Sequence, residues 1–143
     1  MNRFYLHVKK INEDGNIFMP AKEGDCGYDV CSTIDLEILP HERYNIPLGI
    51  ALEFPDGYVC MVQQKSGIAR NFGLDTIGNI IDSGYRGEIH AQIVNTSDDV
   101  VVIKKGMKIA QLIFLPFVKA EIRIVDKLTE SDRGFGGFGS TGI

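Results

Sequence analysis

Hydrophobic and polar residues alternate along most of this chain. Phe4, Leu6 and Val8 share one parity, and so do Ile34, Leu36 and Ile38 in STIDLEILP. The same period of two runs through ALEF, YVCMVQ, IHAQIVN, VVVI, KIAQLIFLPF and AEIRIV. A period of two puts alternate side chains on opposite faces of a strand, so each run predicts a half-buried strand. Turn-forming clusters separate the runs: EDGN, LPHE, PDGY, SGYRGE, TSDD and KKG. No long helical stripe is present, and the best helix candidate is a turn or two in SGIARNFG. Many short strands with regular turns predict an all-β sandwich, jelly roll or barrel.

After AEIRIVDKL the alternation stops and TESDRGFGGFGSTGI begins. The pattern divides the chain into a β-rich body, about 1–127, and a flexible glycine-rich arm, 128–143. The length of 143 residues suits one domain with a single core. The net charge of −4 gives the surface no general attraction to nucleic acid or anionic membrane. No run reaches the ~18 apolar residues of a membrane span, and MNRFYLHVKK does not read as a signal peptide. Cys26, Cys31 and Cys60 are odd in number and lack CxxC spacing, which argues against a disulfide framework and predicts a reducing cytoplasm. His7, His41 and His90 are scattered, so no zinc site is expected.

Four stretches of the body put small or polar residues where a strand ends: GDCGYDV, QKSGIAR, GNIIDSGYRGEI and GMKIAQLIF. In QKSGIAR, Ser66 opens the helix-like segment. It suits either an ordinary N-cap or a phosphate donor, with Lys65 as a full charge beside it. Asp82 follows two isoleucines and precedes a glycine turn. It reads as a general base held at the inner end of a strand, or as an aspartate capping its own hairpin. Tyr85 is a stacking platform or an edge-strand aromatic. Gln111 interrupts an apolar run, and its amide needs backbone or ligand partners. Asp29 faces a hydrated cation or closes a turn.

The ending RGFGGFGSTGI is less open to a bland reading. Glycines allow close backbone approach and anion-binding nests of N–H groups. Arg133 offers a bidentate phosphate contact, Ser140 and Thr141 offer hydroxyl donors, and Phe138 offers a ring to stack on a base. These parts suit closure over a nucleoside triphosphate, although no GxxxxGK[ST] P-loop occurs.

In this order, CGYDV, KSGIA, NIIDSGYRGEI, GMKIAQL and RGFGGFGSTG resemble the five motifs of the trimeric deoxyuridine triphosphatases, the dUTPases. The resemblance covers nearly the whole chain and is most specific in the third and fifth motifs. It implies a jelly-roll-like subunit in a homotrimer with active sites shared between chains. The implied activity is hydrolysis of dUTP to dUMP and pyrophosphate, which limits uracil incorporation into DNA and supplies dUMP for dTMP synthesis. Carried over residue by residue, Asp82 is the base for the attacking water and Tyr85 packs on the deoxyribose. Backbone groups near Asn79 and Ile80 pair with uracil. Lys65, Ser66, Gly67 and Gln111 surround the phosphates. Arg133, Ser140 and Thr141 hold the outer phosphates, Phe138 covers the base, and Gly139 is among the substrate-binding residues. Mg²⁺ rides on the phosphates, with Asp29 reaching it through a water.

The sequence departs from the family pattern at several positions. Lys65 and Lys108 stand where arginine is usual, Gln64 where proline is common, Cys26 where alanine is usual and Asn79 where glycine is usual. Two further readings share the fold: a dCTP deaminase-like enzyme and a non-catalytic regulatory relative. Neither nucleic acid nor membrane is an implied partner. The implied compartment is the cytoplasm, or that of a host cell for a viral chain.

Overall fold

The computed structural model describes residues 3–137. Among these, twelve strands surround one short helix. β1 (His7–Lys10), β2 (Ile17–Phe18), β3 (Tyr28–Cys31), β4 (Leu36–Ile38), β5 (Arg43–Pro47), β6 (Ile50–Glu53) and β7 (Tyr58–Gln64) precede α1 (Ser66–Phe72). β8 (Leu74–Thr76), β9 (Ile80–Ile81), β10 (His90–Asn95), β11 (Val101–Ile103) and β12 (Lys108–Pro116) follow it. The largest sheet runs β2-β3-β12-β7-β9, a second runs β5-β10-β8, and β1 with β6 and β11 with β4 form two ribbons. Every ladder is antiparallel. The expected all-β fold is therefore present. No helix of the described residues is long and apolar enough to cross a membrane.

The alternation produces this fold because each run has a partner on at least one edge and a core on one face. In β7, Cys60 and Val62 point inward; in β10, Ala91 and Ile93 do the same. β12 departs from strict alternation. Its register shifts between Lys108 and Ala110, so the adjacent Ile109 and Ala110 are both buried. Such a bulge moves every later side chain to the other face. Beyond it Leu112 lies inside and Gln111 outside. Leu112 is fully buried, and its truncation to alanine costs about 2–5 kcal/mol. Phe114 joins three other rings, with centroids 5.4 Å from Phe4, 5.9 Å from Tyr28 and 5.3 Å from Phe54. That cluster ties the N-terminal segment to the large sheet.

Two sequence readings differ from what is observed. The N-terminal strand covers His7–Lys10 and not Phe4–Val8; Phe4 and Leu6 pack on the core as lead-in chain. AEIRIV forms no strand. Ile122 and Ile124 are 88% and 97% exposed. Alternation creates a strand only where another backbone satisfies its N–H and C=O groups. Among the described residues none pairs with 120–125.

Candidate active site

The large sheet sets out one row of side chains across four strands. Phe18 pairs with Asp29, Asp29 with Gln111, and Gln111 with Gln63. Directly paired residues share a face, and this face is opposite the one carrying Val30, Ala110 and Val62. Lys65 follows one residue after the end of β7, so the first, second and fourth motifs converge at this end of the sheet.

Asp29 is the hub. Lys65 Nζ contacts its Oδ1, and Lys108 Nζ lies 3.2 Å from its Oδ2. Lys108 also sits over the Phe18 ring, 4.5 Å from its centroid. Burial alone would push the Asp29 carboxyl up, but the hydrogen bonds and charges of Lys65 and Lys108 outweigh it and hold the group below its ordinary value. Gln111 resolves the question of its amide by donating from Nε2 to the Gln64 carbonyl at 3.0 Å. Its other end lies against Gly27, where an added Cβ would come within 1.8 Å of Oε1. A side chain there would displace that amide from its present position.

Ser66 is not the N-cap of α1. The cap is Lys65, whose φ of −91° and ψ of 135° extend the strand by one residue, and no side chain caps the helix. Ser66 is thus the first helical residue, and it and Gly67 are exposed beside Lys65.

The third motif forms the other cluster. Ile80 and Ile81 pair with Met61 and Cys60 in β7, and the Asn79 carbonyl accepts from Val62 N at 2.9 Å. Asp82 comes next, on an exposed turn closed by the backbone, with Tyr85 N donating to Asp82 O at 3.1 Å. Ser83 Oγ anchors the turn by donating to Asp56 Oδ1 at 2.7 Å. Among the described residues the Asp82 carboxylate takes part in no side-chain hydrogen bond or ion pair, so the hairpin-capping role does not occupy it. The Tyr85 hydroxyl donates to the Glu88 carbonyl at 3.1 Å. Its ring packs over Gly87, where a Cβ would sit 2.3 Å from the hydroxyl oxygen. Glu88 Oε1 accepts from Gly49 N at 2.9 Å, which fixes the base of the hairpin.

These two clusters lie at opposite ends of β7. Ile81 faces Cys60 and the chain then runs toward Tyr58, whereas Lys65 and Ser66 lie beyond Gln64. The strand between them spans roughly 20 Å at about 3.3 Å per residue. Within one chain, Asp82 and the Asp29–Lys65–Gln111 cluster do not meet.

Arg133 is exposed in a short turn, where Gly136 N donates to its carbonyl at 2.9 Å. Phe138, Gly139, Ser140 and Thr141 lie outside the described residues. Among those described, no group of three or more His, Cys, Asp or Glu gathers as a metal cage. One carboxylate fits a magnesium ion carried by phosphates, with a water between ion and protein. Sequence reasoning missed Lys108, Phe18, Gly27 and Gly87. A cation at the start of β12 was visible, but its partner depends on strand register.

Comparison with known proteins agrees with the fold. The dUTPase family model matches residues 13–142. The deoxyuridine 5'-triphosphate nucleotidohydrolase of Paramecium bursaria Chlorella virus 1 is 40% identical over 138 residues, covering 96% of this chain and 98% of its own. Its counterpart in Clostridium tetani (strain Massachusetts / E88) is 39% identical and covers 99% of both chains. Among solved structures, the Staphylococcus bacteriophage 80alpha dUTPase with dUPNHPP superposes at a TM-score of 0.87 with 26% identity, covering 97% of this chain and 99% of that one. The dUTPase of phage phi11 of S. aureus, a mutant solved with a structural Mg(II) ion, shares the fold at a TM-score of 0.79 and 24% identity, covering 89% and 100%.

Proposed function

The chain belongs to the dUTPase family, and from that premise we propose that its two clusters, contributed by different copies of the chain, enclose one dUTP. The activity is hydrolysis of dUTP to dUMP. The observation that carries the site reading is the convergence of Asp29, Lys65 and Gln111, from three separate motifs, at one end of a sheet. The family match and the names of the relatives favour neither the deaminase nor the non-catalytic alternative.

In this reading Asp82 takes a proton from a water whose oxygen bonds to the α-phosphorus. The bond from that phosphorus to the bridging oxygen breaks, and pyrophosphate leaves with the electron pair. A carboxylate with no competing partner suits a base. Tyr85, seated on Gly87, packs against the deoxyribose and denies space to a 2′-hydroxyl. Backbone groups at Asn79 and Ile80 read the uracil. Lys65, Ser66, Gly67 and Gln111 hold phosphate oxygens. Asp29 would hold a magnesium ion through a water, and the ion would supply charge neutralisation on the phosphates. Positioning and charge neutralisation do most of the work in such chemistry.

The separation along β7 supports a site shared between copies, which in the trimer that family membership suggests sets the hairpin end of one copy against the phosphate end of the next. Residues 128–143 act as a closing arm, with Arg133, Gly139, Ser140 and Thr141 on the outer phosphates and Phe138 over the base. The setting is cytosolic, which three unpaired thiols support. Pyrophosphate release from dUTP, dTTP, dCTP and UTP, with and without Mg²⁺, tests the assignment. Selective, Mg²⁺-stimulated release from dUTP is expected. Ammonia from dCTP, or equal turnover of all four, would remove it.

A further inference from the structure

Asp29 is occupied on both sides. Its Oδ1 is taken by Lys65 and its Oδ2 by Lys108, at 3.2 Å. The two lysines are not held alike. Lys108 has a second anchor in the Phe18 ring, itself paired directly across from Asp29. The Lys65 ammonium has no other hydrogen-bond or ion-pair partner among the described residues, and the residue stands at the junction where β7 ends and α1 begins. In this arrangement Lys65 is committed to a carboxylate, each oxygen of which already accepts from one ammonium. The phosphate role assigned to Lys65 needs its contact to open, and opening it leaves Oδ1 to a magnesium-bound water without competition.

We propose that Lys65 works in two positions. Before substrate arrives it is closed on Asp29 Oδ1; when the triphosphate binds it turns onto the phosphate oxygens. Lys108 is the positioning residue that keeps Oδ2 throughout, so that the freed Oδ1 stays aimed at the magnesium-bound water. The inference rests on the reading of Lys65 and Asp29 as phosphate and magnesium-water groups. The physics is a competition for one ammonium. A triphosphate offers several negative charges, whereas Asp29 offers one that Lys108 already half-neutralises. Lysine suits such an exchange because it is a point charge on a flexible stem and not a planar fork tied to one geometry.

A double-mutant cycle on binding, without turnover, tests this. The affinity of full-length protein for a non-hydrolysable dUTP analogue is measured by calorimetry in EDTA for the native sequence, Lys65→Ala, Asp29→Asn and the double variant. If Lys65 must first leave Asp29, Lys65→Ala costs more affinity in the Asp29→Asn background, by about threefold or more. If Lys65 stays on Asp29 with substrate bound, its loss exposes a repelling carboxylate, and the cost is smaller once that carboxylate is gone. An equal or smaller cost therefore overturns the exchange. No cost in either background overturns it too, and removes Lys65 from the phosphate site altogether. Asp29→Ser repeats the cycle should the asparagine variant fail to fold. For Lys108, the readout is the gain in analogue affinity on adding Mg²⁺. Lys108→Ala should reduce that gain several-fold and Lys108→Arg should restore it; an undiminished gain in Lys108→Ala rules out the positioning role.

Discussion

The two ends of β7 are built on opposite principles. At the Gln64 end, charges clamp one another: two ammonium groups close on Asp29, one of them stacked on a ring. At the Tyr58 end, Asp82 stands on an exposed turn with its carboxylate uncommitted among the described residues, while the residues around it are pinned by Ser83–Asp56 and Glu88–Gly49 contacts. In the proposed site the first end receives the phosphates, where the two ammonium groups now offset one carboxylate. The second end presents the proposed base, and its neighbours are held by hydrogen bonds. A single strand thus carries a charge-balanced cluster near one end and, among the described residues, an unpartnered carboxylate near the other.

The largest effect should come from the uncommitted end. Asp82→Asn preserves shape and removes the base, so turnover should fall by about 100-fold or more, with analogue affinity nearly unchanged. Near-native turnover in that variant would erase the contrast between the ends. Removal of 133–143 should leave the body folded, since the last strand among the described residues ends at Pro116. Activity should still drop by roughly 100-fold, the scale of losing charge-stabilising donors. Thermal melting and steady-state kinetics check the two halves of that statement.

At the charge-balanced end, Lys65→Ala should lower kcat/KM by about 10-fold, or 1.4 kcal/mol of transition-state stabilisation, and Lys65→Arg should retain most activity. An effect under about twofold would place Lys65 outside the site. The smallest effect concerns selectivity and not rate. Tyr85→Ala should reduce the ratio of kcat/KM for dUTP over UTP several-fold, because the ring excludes a hydroxyl. Gly87→Ala should move the same ratio in the same direction, since a Cβ there would sit 2.3 Å from the Tyr85 hydroxyl. Unchanged ratios would mean the sugar is read elsewhere.

Much of this was legible before any coordinates. β7, β10, β11 and β12 follow from alternation because each has an apolar face on the core and a paired edge. β3 was not read as a strand: its four residues carry Asp29 on the outer face and look like part of a turn. β9 has only two residues, too few to show a period. AEIRIV shows the opposite failure, a clear period with no partner among the described residues. The positions of Asp29, Lys65, Asp82, Tyr85 and Gln111 were readable from motif spacing. The role of Lys108 was not, because its contact with Asp29 depends on the bulge in β12 and on β2 bringing Phe18 alongside. The resemblance implied sites shared between chains, but which clusters separate was hidden, since it is a matter of which residue of β7 faces Ile81.

That separation makes the central claim testable by mixing subunits. Asp82→Asn protein and a Lys65→Ala, Ser66→Ala double variant should each be nearly inactive. Co-refolded in equal amounts, they should regain roughly one quarter of native activity. In a cyclic trimer with sites between chains, that fraction of sites pairs an intact hairpin end with an intact phosphate end. If the mixture is no more active than its components, the two ends of β7 do not meet across copies and the shared-site account is wrong.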